Sequence, residues 1–230
     1  MKKLQASILT IFILVFINNL SYAQGSISEI YIRGIESGVQ GKFEEAKQDF
    51  SIALKDDSLR TSAQLNLKTI DDILKKKIEK ETGIHIFKAI QYEDQGNYDL
   101  AIREYAKAIE GNPKYADSYN KRGLVYFNKN MYEQAIKDYT TAIQLNPKYT
   151  DAYNNRGIIY YNQEKYDLAI LDYSKAIELD PKYAKAYHNR GLIYFTKLED
   201  KSKGCADWKR ACELGECTNY NTAKNKGLCK

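Results

Sequence analysis

The sequence predicts an all-α protein built from antiparallel helix pairs, and three observations carry the prediction. The middle of the chain repeats itself with a period of 34 residues. Within each period small residues and aromatic rings recur at helical spacing. A proline closes each period where a helix has to stop. Composition agrees: 28% charged and 43% hydrophobic residues suit a folded chain with a polar surface, and 20 tyrosines against three prolines suit helices packed through aromatic rings.

The first residues read as a leader rather than as part of the fold. Met1-Lys2-Lys3 is a short basic start, and Ile8 to Ile17 is apolar except for Thr10. Ser21 and Ala23 place small residues three and one positions before an expected cut between Ala23 and Gln24. The apolar run is about half of the roughly 20 residues that a spanning helix needs, so residues 1–23 are expected to be a cleaved signal peptide. The short basic start points to a bacterial envelope, and the expected location is periplasmic or extracellular. No later stretch is apolar enough to span a bilayer. Without Lys2 and Lys3 the formal charge falls from +5 to about +3, which gives no support to a nucleic-acid partner. The run Lys75-Lys76-Lys77 is followed by Glu79 and Glu81 and reads as a solvated face.

The repeat is clearest where residues 116–149 align with 150–183, matching without gaps at 18 of 34 positions. Tyr119, Gly123 and Tyr126 share one stripe of a first helix, as do Tyr153, Gly157 and Tyr160. Ala135, Tyr139 and Ala142 share a stripe of a second helix, as do Ala169, Tyr173 and Ala176. Glycine and alanine allow two helices to approach closely while the rings fill the space beside them. Pro113, Pro147 and Pro181 end the second helices, with Asn112, Asn146 and Asp180 before them as turn residues. Residues 82–115 keep the register through Tyr98, Ala101, Tyr105, Ala108 and Pro113.

The chain ends depart from the period as terminal repeats do. Residues 24–60 form a degenerate first repeat that keeps Gly34, Gly41, Phe43, Ala46, Phe50 and Ala53 but has Ser58 in the proline slot. Residues 184–218 keep Tyr187, Arg190, Gly191 and Tyr194, then carry one extra residue, after which Asp207-Trp208 corresponds to Asp172-Tyr173 and Ala211 to Ala176. Residues 61–81 lie outside the period. Ala63, Leu67, Ile70, Leu74 and Ile78 recur at helical spacing, so one long amphipathic helix is expected there. It either packs across the array or runs into the next repeat, with Gly83 as a weak break. Residues 219–230 are expected to be a cysteine-containing cap.

This pattern closely resembles the tetratricopeptide repeat family, whose length is 34 residues. Tyr119-Asn120-Lys121-Arg122-Gly123 and Asp138-Tyr139 through Pro147 carry the resemblance, which extends over roughly residues 27–218. Arg122, Arg156 and Arg190 stand where the commoner consensus has leucine. The resemblance implies a right-handed superhelical solenoid of antiparallel helix pairs whose first helices line a concave groove. One version of the family grips a C-terminal carboxylate with lysine, asparagine and arginine side chains. Here Asn155 and Lys185 match, but Asn120, Leu124 and Asn189 stand where a lysine, an asparagine and an arginine are needed, so that function is not expected.

Catalytic chemistry has little to work with. His85 fills the slot of Tyr119 and Tyr153 and reads as a core substitute, whereas His188 sits at the slot of Asn120 and Asn154 and reads as a binding residue. No H-E-x-x-H, G-x-S-x-G or phosphate-cradling motif occurs, and the carboxylate pairs Glu44-Glu45 and Asp71-Asp72 are adjacent on helices and do not face each other. Neither an enzyme nor a cofactor is expected. All four cysteines fall in the last 26 residues, and an even count in an exported chain favours disulfides over a metal site. Cys205 and Cys212 are about 10 Å apart along one helix, too far to bond. A short helix over 218–227 folding back on 203–214 would pair Cys205 with Cys229 and leave Cys217 beside Cys212.

The function expected is an exported scaffold that binds an extended protein or peptide segment. The partner is expected against Asn120, Leu124, Phe127 and Asn128, then Asn154, Ile158, Tyr161 and Asn162, then His188, Leu192 and Phe195, which recur as one stripe on successive first helices. The alternative for Phe127, Tyr161 and Phe195 is that they fill the joint between repeats. Two other functions remain open. One is a structural or self-associating subunit of an envelope assembly, working through the 61–81 helix, and the other is a cell-wall glycan-binding module that stacks sugars on tyrosines.

Overall fold

A computed structural model describes residues 25–229. The expected leader and its cut between Ala23 and Gln24 lie outside the described residues. Among the described residues there are twelve helices and no strand. The chain divides into two compact units, one up to Phe87 and one from Lys88 onward.

The first unit holds α1 (Ile27–Val39), α2 (Phe43–Ala53), α3 (Arg60–Leu74) and the start of α4 (Lys80–Asp94). Ser26 caps α1 in a capping box: its Oγ accepts from the Glu29 amide while the Ser26 amide donates to Glu29 Oε2. Phe50 is fully buried against Gly34, where an added Cβ would come within 2.9 Å of its ring. Tyr31 meets the same ring edge-on at 5.5 Å, and Phe87 stacks on it at 6.0 Å.

The helix expected over residues 61–81 is shorter than that span. It ends at Leu74, and Lys76 takes a left-handed conformation with φ 55°. The amides of Lys77 and Ile78 turn back onto the Asp72 carbonyl, so Ile78 is buried from the turn and not from a helix face. The buried stripe of α3 is Ala63, Asn66, Ile70 and Ile73, with Leu74 exposed. Gly83 does not break the chain. It lies inside α4 because its missing Cβ makes room for the Ile73 side chain.

The second unit holds the rest of α4, then α5 (Tyr98–Gly111), α6 (Ala116–Asn128), α7 (Tyr132–Leu145), α8 (Thr150–Asn162), α9 (Tyr166–Leu179), α10 (Ala184–Thr196), α11 (Lys201–Glu213) and α12 (Thr218–Asn225). Helices α6 and α7, α8 and α9, and α10 and α11 pack as pairs, and each second helix also touches the first helix of the next pair. Tyr105, Tyr139 and Tyr173 are the buried centres of successive pairs. Their fit depends on glycine: a Cβ on Gly123 would lie 2.8 Å from Tyr139, and one on Gly157 would lie 2.7 Å from Tyr173. In the last pair Trp208 takes this place, with Gly191 beneath it, and donates its indole N–H to the His188 carbonyl at 3.2 Å.

The turns repeat as well. The turn inside each pair carries one left-handed residue, at Gly96, Asn130, Glu164 and Glu199 in turn. Each second helix stops before its proline, and Asn112, Asn146 and Asp180 there accept the amides of Lys114, Lys148 and Lys182 through their side chains.

Candidate partner-binding surface

Three polar contacts tie each pair together or join it to the next, and they decide which first-helix side chains remain open. The first explains the arginines that replace leucine. Arg122, Arg156 and Arg190 each fork the aspartate of their own second helix, Asp138, Asp172 and Asp207, through two N–H···O bonds of 2.8–2.9 Å. Arg33 and Asp49 repeat the device in the first unit. Arg122 and Arg156 each lie between two tyrosine rings, Tyr119 and Tyr126 for the one, Tyr153 and Tyr160 for the other. Arg156 also donates to Thr140, and Arg190 to Ser174, both on the preceding pair. The hydrogen bonds these two guanidiniums donate to Asp172 and Asp207 hold them above the usual arginine range.

The second contact is a tyrosine at the end of one period reaching an aspartate at the start of the same period. Tyr183 donates to Asp151 Oδ1 at 2.6 Å, and Tyr149 is bonded to Asp117 in the same way. Burial first, and the aspartate beside it second, push both phenols well above their ordinary value. The third contact is a ladder of amides between successive first helices. Asn155 donates to Asn120 at 3.3 Å, and Asn189 donates to Asn154 at 3.1 Å.

These contacts sort the expected binding stripe. Asn120 and Asn154 are buried, and their amide oxygens already accept from the next first helix. Phe127, Tyr161 and Phe195 are half-buried and pack inside their own pairs, facing Tyr132, Tyr166 and Trp208 at 6.0, 5.9 and 4.6 Å. Leu124 is 40% exposed, Asn128 and Asn162 are exposed, and Ile158 and Leu192 are half-buried. The open part of the stripe is therefore an apolar row, Leu124, Ile158 and Leu192, edged by Asn128 and Asn162. Sequence reasoning missed the arginine–aspartate forks, although a separation of 16 residues recurs at three of the four.

The ends of this face differ. In register with Phe127 and Asn128 stand Glu93 and Asp94. Glu93 accepts the Tyr105 hydroxyl at 2.5 Å, and burial pushes both carboxyls above their ordinary values. At the other end α12 folds back against α11. Cys205 pairs with Cys229, their Cα atoms 5.5 Å apart, and Cys212 pairs with Cys217 at 3.9 Å. His188 faces this cap, with Nε2 at 3.4 Å from the Asn219 amide and Nδ1 at 3.8 Å from Glu216. Among the described residues no group of three or more His, Cys, Asp or Glu is placed to hold a metal ion. No described helix is long and apolar enough to cross a membrane.

Family profiles for the tetratricopeptide repeat match residues 150–183 and 173–224, and one for the TPR repeat matches 91–130 and 125–164. Among solved structures the chain is similar to a crystal structure of MamA, at 26% identity and TM-score 0.54, covering 83% of this chain and 96% of that one. It is also similar to the MamA MSR-1 C2 structure, at 18% identity and TM-score 0.52, covering 83% and 97%. The first TPR of Spaghetti (RPAP3), bound to the HSP90 peptide SRMEEVD, is 29% identical over 50% of this chain and 92% of that one, with TM-score 0.49. No curated protein matches the chain in sequence.

Proposed function

We propose, for a chain that carries tetratricopeptide repeats over residues 91–224, that it is an exported scaffold holding an extended protein or peptide segment along α6, α8 and α10. The observation that carries this reading is the row left open after the joints are made. Leu124, Ile158 and Leu192 recur once per pair and are not consumed by the polar contacts on either side. Asn128 and Asn162 edge the row with amides that both donate to and accept from a peptide backbone. Export rests on the leader pattern ending at Ala23, and the two cysteine pairs suit an oxidising compartment such as a periplasm.

The buried asparagines change the choice of probes. Asn154→Ala would loosen a joint, so a loss of binding there would not separate contact from folding. Leu124→Glu and Asn162→Asp alter exposed positions and leave the joints intact. The test is capture of a partner from the protein's own envelope fraction, followed by affinities of both variants for that partner. A loss of tenfold or more with an unchanged melting temperature supports the reading, because open anchors contribute about 2 kcal/mol each. Unchanged affinity in both variants places the binding surface elsewhere.

A second reading has one observation in its favour. On the second helix α9, Leu168 and Leu171 are 43% and 65% exposed at a spacing of three residues. An envelope subunit that associates through its second helices would cover them, and Leu171→Lys would then lower the sedimentation mass. The glycan reading has less support: none of the described tyrosines is fully exposed.

A further inference from the structure

The end of the open row is a recess, and its chemistry narrows the kind of segment that fits. Leu192, Phe195 and Trp208 form its floor, while Ala223 and Leu228 form the wall built by α12 and the residues after it. Its volume is about 180 Å³. An apolar cavity of about 150 Å³ accepts benzene, so this recess has room for one leucine or phenyl side chain. Leu228 is 42% exposed beside it, an apolar edge left open among the described residues.

The rim is polar and positive. Lys226 lines the recess, and among the described residues its ammonium group makes no ion pair or hydrogen bond. Asn219 also lines it and points its amide toward His188. Lys224 lies over the Tyr220 ring, and Glu216, the one acidic residue in 214–229, faces His188. Residues 184–229 carry nine Lys and Arg against five Asp and Glu, whereas residues 88–183 carry 13 against 14. The positive excess of the second unit thus lies within residues 184–229, where Lys226 lines the recess, opposite in sign to Glu93 and Asp94 at the far end of the same face.

We propose that this recess binds one large apolar side chain of an acidic peptide segment, with Lys226 meeting a side-chain carboxylate next to that residue. The proposal rests on the reading of this face as a peptide-binding surface and names the chemistry of its partner. The polarity of the face sets the direction in which the segment lies. Its acidic, apolar-anchored part sits over α10 and α12, and the remainder runs along Ile158 and Leu124. The Cys205–Cys229 bond holds the wall in place by tying the residue after Leu228 to α11.

Trp208 is the one tryptophan in the chain and forms part of the floor, so its fluorescence reports occupancy directly. The mature protein with both disulfides intact is titrated with two peptides, acetyl-Asp-Leu-Phe-Asp-amide and acetyl-Lys-Leu-Phe-Lys-amide. Blocked termini remove any terminal carboxylate from the comparison. The acidic peptide is expected to shift Trp208 emission saturably and to bind about fivefold or more tightly than the basic one, with the difference shrinking at high salt. Lys226→Glu, a change at an exposed position, is expected to reverse that preference. No saturable shift, equal affinities for both peptides, or an unchanged preference in Lys226→Glu would each overturn the proposal. A captured natural partner lost by Leu124→Glu but indifferent to Lys226→Glu would sink this proposal alone. A partner indifferent to Leu124→Glu, with Trp208 still answering the acidic peptide, would sink the groove reading and keep the recess.

Discussion

Replacing Arg156 with leucine, the residue the commoner family consensus has at this position, should be among the most damaging single changes in the second unit. The guanidinium makes two 2.8 Å bonds to Asp172 and a third, 3.0 Å, to Thr140 on the preceding pair. The Asp172 side chain is 4% exposed and the arginine 17%. Leucine would fill much of the space between Tyr153 and Tyr160 but leave a buried carboxylate with neither counter-ion nor donor. Breaking a buried pair on one side costs about 3–5 kcal/mol, far more than the loss of an exposed surface pair. For a chain of this length the loss corresponds to a fall of about 6–20 °C in melting temperature. Adding Asp172→Ala removes the stranded charge, so the double variant should recover most of the stability. Urea unfolding followed by far-ultraviolet circular dichroism, on both singles and the double, measures the coupling. A cost below about 1 kcal/mol for Arg156→Leu, or a double variant as unstable as the two singles summed, would refute this reasoning.

Four further outcomes are expected. Gly157→Ala should cost about 1–3 kcal/mol in chemical denaturation, because the new methyl meets the Tyr173 ring at 2.7 Å inside a filled pair. Ser118→Ala should raise stability by about 1 kcal/mol, since its fully buried hydroxyl has no hydrogen-bond partner and Ala152 and Ala186 occupy the same slot in the next two repeats. Glu93 has a folded pKa raised above 4.5, so the folded chain holds that proton to higher pH than the unfolded chain does. Stability from this group therefore falls as pH rises from 4.5 through the folded value, and Glu93→Gln should flatten that slope in melting curves taken across pH. Removing the Cys205–Cys229 link with two serines opens a loop 24 residues long and should cost about 3 kcal/mol, with Trp208 emission moving to the red as α12 loosens.

Much of the pair architecture was legible because its determinants lie within one period. Tyr139 over Gly123 and Tyr173 over Gly157 are 16 residues apart, and the alignment that reveals the repeat also shows which ring belongs over which glycine. The extra residue before α11 was legible for the same reason, and Arg190 bonds Asp207 at a separation of 17 where the other forks have 16. The arginine–aspartate forks could have been read from that spacing too.

The expected binding stripe depends on more than helical spacing, for a geometrical reason. Helical spacing places Asn120, Leu124, Phe127 and Asn128 on one side of α6, but a helix side touches more than one neighbour. The Asn155–Asn120 and Asn189–Asn154 bonds join residues 35 apart, so they depend on how far each pair rotates against the last. Periodicity within a helix carries no information about that rotation. The same limit applies to α3, where an even run of apolar residues continues to Ile78 although the helix ends at Leu74. By itself the sequence determined the helix pairs, their partners within a period, their proline stops and the cysteine-bearing end, because each follows from local pattern or from exact repetition. Only the tertiary structure decided which polar groups the joints consume and which apolar side chains stay open. That outcome depends on the rotation between one pair and the next, which many weak contacts set together and no single residue pattern encodes.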